Sequence, residues 1–110
     1  MDLSSAQKHL TAIRDWPERA LQASYRVDEL ARICGENPQA LRVFFVRTFK
    51  VTTKKQLREQ RISQVKRRLK EKEPLKNIRV ALGYSDSPHL THDFKAVCGM
   101  SPREWMKLID

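Results

Sequence analysis

The sequence predicts an all-α fold, and three observations carry that prediction. Apolar residues make up 40% of the 110 positions, yet aromatics only 7% and glycines only three, which suits amphipathic helices better than turn-rich sheets. Long stretches free of glycine and proline space their apolar residues at helical intervals. A succession of helix, glycine, polar turn and helix also occurs twice: "RICGENPQALRVFFVRTFKVTT", from residue 32, returns 48 residues later around "ALGYSDSPHLTHDFKAVCGMSP".

In chain order, residues 3–16 bring Leu10, Ile13 and Trp16 to one side of a helix. Pro17 removes an amide donor and biases Trp16 away from helical angles, so a break is predicted there, with "PERALQ" restarting on Pro17 as first helical residue. "VDELARICG" sets Val27, Leu30, Ala31 and Ile33 on one side and places Asp28 and Glu29 near the positive helix end. Gly35 ends it, Asn37 caps the next helix and Pro38 opens it. That helix runs to about Phe49, with Leu41, Phe44, Phe45 and Phe49 inward. A long helix follows, "KKQLREQRISQVKRRLKEKE", capped by Thr52 or Thr53, on the order of 30 Å long, with Leu57, Ile62, Val65 and Leu69 as a narrow stripe. Pro74 ends it. Helix "LKNIRVAL", Gly83, turn "YSDS" and helix "PHLTHDFKAV" then repeat the earlier scheme to Gly99. "SPREWMKLI" closes the chain, with Ser101 and Glu104 spaced as a capping box and Pro102 at the first position. The organisation expected is a subdomain at 1–52, a linker helix at 53–73 and a second subdomain at 74–110.

Charge narrows the function. The net +9 is not spread evenly: residues 1–41 carry five Lys/Arg against six Asp/Glu, and residues 73–110 five against five. Residues 42–72 carry twelve against two, which points to a polyanion partner. His9, His89 and His92 have no metal-ligand spacing, no nucleophile has a plausible base, and no glycine loop could cradle phosphate. No enzyme, cofactor or metal is therefore expected. Cys34 and Cys98, each just before a glycine, are expected as buried free thiols in a reducing cytoplasm. No run approaches the length of a membrane span or a secretory leader. Beginning at Met1 fits a stand-alone protein.

The repeated unit has the layout of a helix-turn-helix. Two steeply crossing helices need a small residue at the crossing, Ala31, and a glycine four positions on, Gly35; Leu41 and Phe45 then pin the second helix to the first. Gly83, Leu90 and Phe94 repeat this with a turn one residue longer. Arg79 stands in the place of Ala31. Either its aliphatic stem covers the crossing while its charge reaches solvent, or the crossing opens.

"LARICG" with "LRVFFVRTF", "LREQRISQVKRRL", "ALGYSDSPHLTHDFK" and "CGMSPREW" together resemble the DNA-binding module of AraC/XylS-type bacterial transcription regulators. The resemblance runs from about Ile13 through Met106. It implies a homeodomain-like, seven-helix arrangement of two helix-turn-helix subdomains joined by a long central helix. It also implies recognition helices near 37–49 and 87–98, double-stranded DNA as partner, and activation through RNA polymerase. A monomer, with no membrane partner, would suffice to place both recognition helices in adjacent major grooves, whose faces lie about 34 to 36 Å apart.

Subtracting the core from each recognition helix leaves the side chains that could read bases. The first offers Gln39, Arg42, Val43 and Val46: arginine can grip guanine with two bonds, glutamine can pair with adenine, and valine can touch a thymine methyl. The second offers Ser87, Pro88, Thr91 and His92. Arg47, Lys50, Lys54, Lys55, Arg58, Arg61 and Lys95 are the phosphate candidates.

Against the family pattern, His92 replaces a common arginine, Asp93 a small residue, Lys50 a glycine, and Arg26 and Lys76 the usual capping Ser or Thr. The first unit is therefore expected to dominate affinity, with the second reading weakly or mainly positioning the protein. Protonation of His92 is expected to strengthen binding as pH falls through about 6.5. Two other functions compete: a protein-interaction module with only nonspecific nucleic-acid affinity, and an RNA binder, disfavoured by the scarcity of exposed aromatics.

Overall fold

The computed structural model describes residues 3–110, and among them are eight helices and no strand. They are α1 (Leu3–Thr11), α2 (Trp16–Gln22), α3 (Val27–Cys34), α4 (Pro38–Phe49), α5 (Thr53–Lys70), α6 (Leu75–Ala81), α7 (Ser87–Cys98) and α8 (Pro102–Ile109). The all-α prediction holds. The eight helices are those read in chain order, one more than the seven that the resemblance implies.

The interruption between α1 and α2, at residues 12–15, falls earlier than the break predicted at Pro17. The Thr11 hydroxyl donates back to the Gln7 carbonyl at 2.7 Å, and the Ala12 and Ile13 amides bond the carbonyls three residues behind them, which tightens the last turn and ends α1. Trp16 then opens α2, and Pro17 follows inside its first turn, where a missing N–H has no intrahelical partner to lose. The bias against helical angles before proline is overcome by packing: the Trp16 ring stacks on Phe44 at 5.5 Å and meets Phe45 edge-on at 5.2 Å.

Two compact units divide the chain, Met1–Gln60 and Arg61–Asp110. The division falls inside α5. The first unit packs α1 on α4, α2 on α3 and α3 on α4. Its core joins Leu10, Ala20, Leu30, Ala31, Cys34, Leu41, Phe44, Phe45 and Leu57, with Trp16 and Phe49 partly buried against it. In the second unit Ile62, Val65, Leu69, Ile78, Leu82, Tyr84, Leu90 and Phe94 are buried, and the Phe94 ring meets Trp105 at 5.9 Å.

Helix α5 has 18 residues, about 27 Å at the usual rise, slightly shorter than predicted. Thr52 caps it, accepting from the Lys55 amide at 3.1 Å, while the Thr53 hydroxyl is buried without a hydrogen-bond partner. The helix stops before Pro74 because Lys72 turns left-handed (φ 64°) and the Glu73 amide bonds the Arg68 carbonyl. Its apolar residues are not one stripe. Leu57 and Ile62 are five positions apart, roughly 140° around the axis, so the buried face moves round the helix between one unit and the next.

Candidate nucleic-acid interface

In the first unit the turn between α3 and α4 is built as its residue types require. Gly35 takes the left-handed cap conformation (φ 72°), and the Glu36 amide closes back on the Ala31 carbonyl. The Asn37 side chain accepts from the Ala40 amide at 2.8 Å, with Pro38 as the next residue. Ala31 is 1% exposed, as a close crossing demands. Helix α1 braces the same corner: Gln7 Nε2 donates to the Ala40 carbonyl at 3.0 Å, and His9 lies 2.7 Å from the Glu36 carboxylate.

With Leu41, Phe44 and Phe45 buried, α4 turns its other side outward. Gln39, Arg42, Val43, Val46 and Arg47 together line one shallow open depression. Val46 is 51% exposed on this face. Thus the four residues expected to read bases share a face, and Arg47, expected on phosphate, borders it. Lys50 ends the helix in the left-handed conformation (φ 62°) with its ammonium donating to the Arg47 carbonyl. Lys54, Lys55 and Arg58 are exposed on the opening turns of α5. That first turn holds no acid, and cations at a helix N-terminus are electrostatically disfavoured, so Lys54 and Lys55 do not add to helix stability there.

In the second unit Gly83 is left-handed (φ 76°), and the Asp86 side chain caps α7 by accepting from the His89 amide at 2.7 Å. Between Gly83 and that cap the turn has the one extra residue predicted. Ser87, Pro88, His92 and Lys95 are exposed and Thr91 is half-buried, while Leu90 and Phe94 are fully buried. Gly99 ends α7, and the reciprocal Ser101–Glu104 capping box opens α8, holding the Glu104 carboxyl below its usual range through the Ser101 hydrogen bonds.

Several side chains are placed otherwise than the sequence suggested. Arg79 does not send its charge to solvent: its Nη1 donates to the Tyr84 and Ser85 carbonyls at 3.3 and 3.1 Å, tying down the longer turn. Arg61 is half-buried, with Nε donating to the Leu82 carbonyl at 3.0 Å and the guanidinium 3.6 Å from the Tyr84 ring centroid. Asp93 accepts the Tyr84 hydroxyl at 2.8 Å. Sequence reasoning missed this Arg61–Tyr84–Asp93 set because its members come from a helix, a turn and another helix. Arg26 does precede α3 without a side-chain cap bond, but the residue before α6 is Pro74, and Lys76 lies within the helix. Both cysteines are free thiols; Cys34 is buried, its thiol pushed up by that burial, whereas Cys98 is only partly covered. Cys34 ends α3 and Cys98 ends α7, so the two are not equivalent in the repeat. No cluster of metal-ligating side chains and no membrane-spanning helix occurs among the described residues.

Two glycine-turned helix pairs, one with an outward face of arginine, glutamine and valine beside a lysine-rich helix start, define a DNA-binding helix-turn-helix protein. A helix-turn-helix domain family matches residues 18–108. The chain belongs to that family, the AraC-type helix-turn-helix domains, and is a DNA-binding transcription regulator whose partner is double-stranded DNA. The family is regulatory rather than enzymatic. No curated protein and no solved structure matches the chain.

Proposed function

We propose that this regulator binds a specific DNA sequence by entering two successive major grooves, α4 in one and α7 in the next, as a monomer in the bacterial cytoplasm. The observation that carries the proposal is the outward face of α4. Gln39, Arg42, Val43 and Val46 offer an amide, a guanidinium and two apolar surfaces side by side, the set that distinguishes adenine, guanine and thymine by their major-groove edges. Arg47, Lys50, Lys54, Lys55 and Arg58 flank them for backbone phosphates, which fix register without reading sequence.

The functional division is a reading subdomain at 1–52, a linker at 53–73 and a second reading subdomain at 74–110. The length of α5 supports it, being of the same order as the spacing of successive groove faces. On α7, Ser87, Pro88, Thr91 and His92 read bases and Lys95 meets phosphate. With His92 where an arginine would pull harder on phosphate, this helix grips DNA less than α4, so the first unit supplies most of the affinity. Activation through RNA polymerase is the regulatory outcome that family membership favours.

Selection of bound duplexes from a random pool, followed by competition with random DNA, tests the proposal. Two conserved blocks about one duplex turn apart are expected. One short block would leave α4 reading alone, and binding lost to random competitor would remove the sequence-specific function altogether.

A further inference from the structure

Asp93 is the only acid in α7, one position from His92 and two from both Thr91 and Lys95. A carboxylate so close to a DNA-facing surface repels phosphate. Yet its Oδ2 accepts the hydroxyl of Tyr84, a side chain only 3% exposed. That phenol is itself held on two sides. The Arg61 guanidinium lies over its face at 3.6 Å, anchored through Nε to the Leu82 carbonyl, and the His89 ring meets it at 5.0 Å and 86°. Arg79 fixes the backbone beneath by binding the Tyr84 carbonyl.

We infer that Tyr84 is a positioning residue for DNA binding: its hydroxyl, braced by Arg61, holds the Asp93 carboxylate to the flank of α7 and keeps it from opposing the phosphates. Arg61 then serves DNA indirectly. Its guanidinium holds the phenol and the Leu82 carbonyl, and it is not spent on a phosphate. The inference rests on α7 docking against DNA, as proposed above.

The test measures affinity for the selected duplex against salt concentration, using the whole 110-residue chain and thermal melts to show that each variant folds. In wild-type background Asp93→Asn keeps an acceptor for the phenol and is expected to change affinity less than twofold, because the charge it removes is already restrained. Tyr84→Phe is expected to weaken binding about fourfold at low salt, the factor given by a unit charge about 5 Å from a phosphate in the dielectric of water. That loss shrinks as salt rises. In the Asp93→Asn background Tyr84→Phe is expected to cost nothing further. A merely structural role for Tyr84 would produce the same loss in both backgrounds and would overturn the inference, as would no loss in either, or a tightening of twofold or more from Asp93→Asn alone. Should Tyr84→Phe fail to fold, the Asp93→Asn result decides. Lys95→Ala separates the two levels. If it leaves the salt dependence unchanged, α7 does not dock and both ideas fall; if it flattens the dependence while the Tyr84 and Asp93 results fail, only the positioning role is lost.

Discussion

Replacing Lys54 and Lys55 together by alanine should flatten the salt dependence of DNA binding without harming the fold. Of the seven cations expected on phosphate, Arg61 is half-buried against Leu82 and Tyr84, so the count is taken over Arg47, Lys50, Lys54, Lys55, Arg58 and Lys95. Each neutralised phosphate contributes about −0.9 to the slope of log affinity against log salt, so six predict a slope of about −5.4. Between 50 and 200 mM salt that is a loss of about 2,000-fold. Removing two contacts gives about −3.6, and the same salt step then costs only about 150-fold. Lys54 and Lys55 stand at the positive end of α5, where alanine is the better helix residue, so unfolding stability should hold or rise. Fluorescence anisotropy of a labelled duplex, titrated at four or five salt concentrations, measures the slope. Cognate and random DNA should respond alike. Arg42→Ala provides the contrast, costing about 1 to 3 kcal/mol on cognate DNA and relaxing preference at one base position with little change in slope. A double-lysine variant with the wild-type slope, or equal losses on cognate and random DNA for Arg42→Ala, would refute the division of labour between α4 and α5.

Four further outcomes follow from local structure. Lys50→Gly should stabilise the fold by about 0.5 to 1 kcal/mol in urea melts, since a left-handed non-glycine residue costs about 1 to 2 kcal/mol and glycine's greater unfolded-state entropy returns part of it; the same change should weaken DNA binding by removing a cation. Ser101→Ala should cost about 1 kcal/mol through loss of the α8 cap. Because the Glu104 carboxyl is held below its usual range when folded, its contribution is present above the ordinary glutamate range and disappears as pH falls through the folded value, so Glu104→Gln should reduce the loss of stability on acidification. A chromogenic disulfide reagent should label Cys98 rapidly and Cys34 only on unfolding, because Cys34 is 3% exposed and its burial disfavours the thiolate; two fast thiols would contradict this.

The parts of the fold that sequence made legible are those governed by local chemistry. Asn37 before Pro38, Ser101 three residues from Glu104, and glycines 35 and 99 at helix ends each act within a few residues, and each does what its side chain dictates. Leu41, Phe44 and Phe45 were recoverable as core because helical spacing leaves them one side to face. Side chains that act across the chain were not legible. An arginine at 61 in a run of twelve cations looks like its neighbours until Tyr84, 23 residues away, is seen beneath it. Arg79 looked like an intruder at a helix crossing because nothing local announces that its guanidinium will collect the carbonyls of residues 84 and 85.

Because Leu57 belongs to the first core and Ile62, Val65 and Leu69 to the second, cutting α5 away from either unit removes part of that unit's core. A fragment stopping at residue 52 would leave a gap where the Leu57 side chain fits, and one starting at residue 74 would forfeit Ile62, Val65 and Leu69. Either excised half should be far less robust than its place in the intact chain suggests, so loss of one half by damage or truncation would disable the regulator instead of leaving a working half-protein behind.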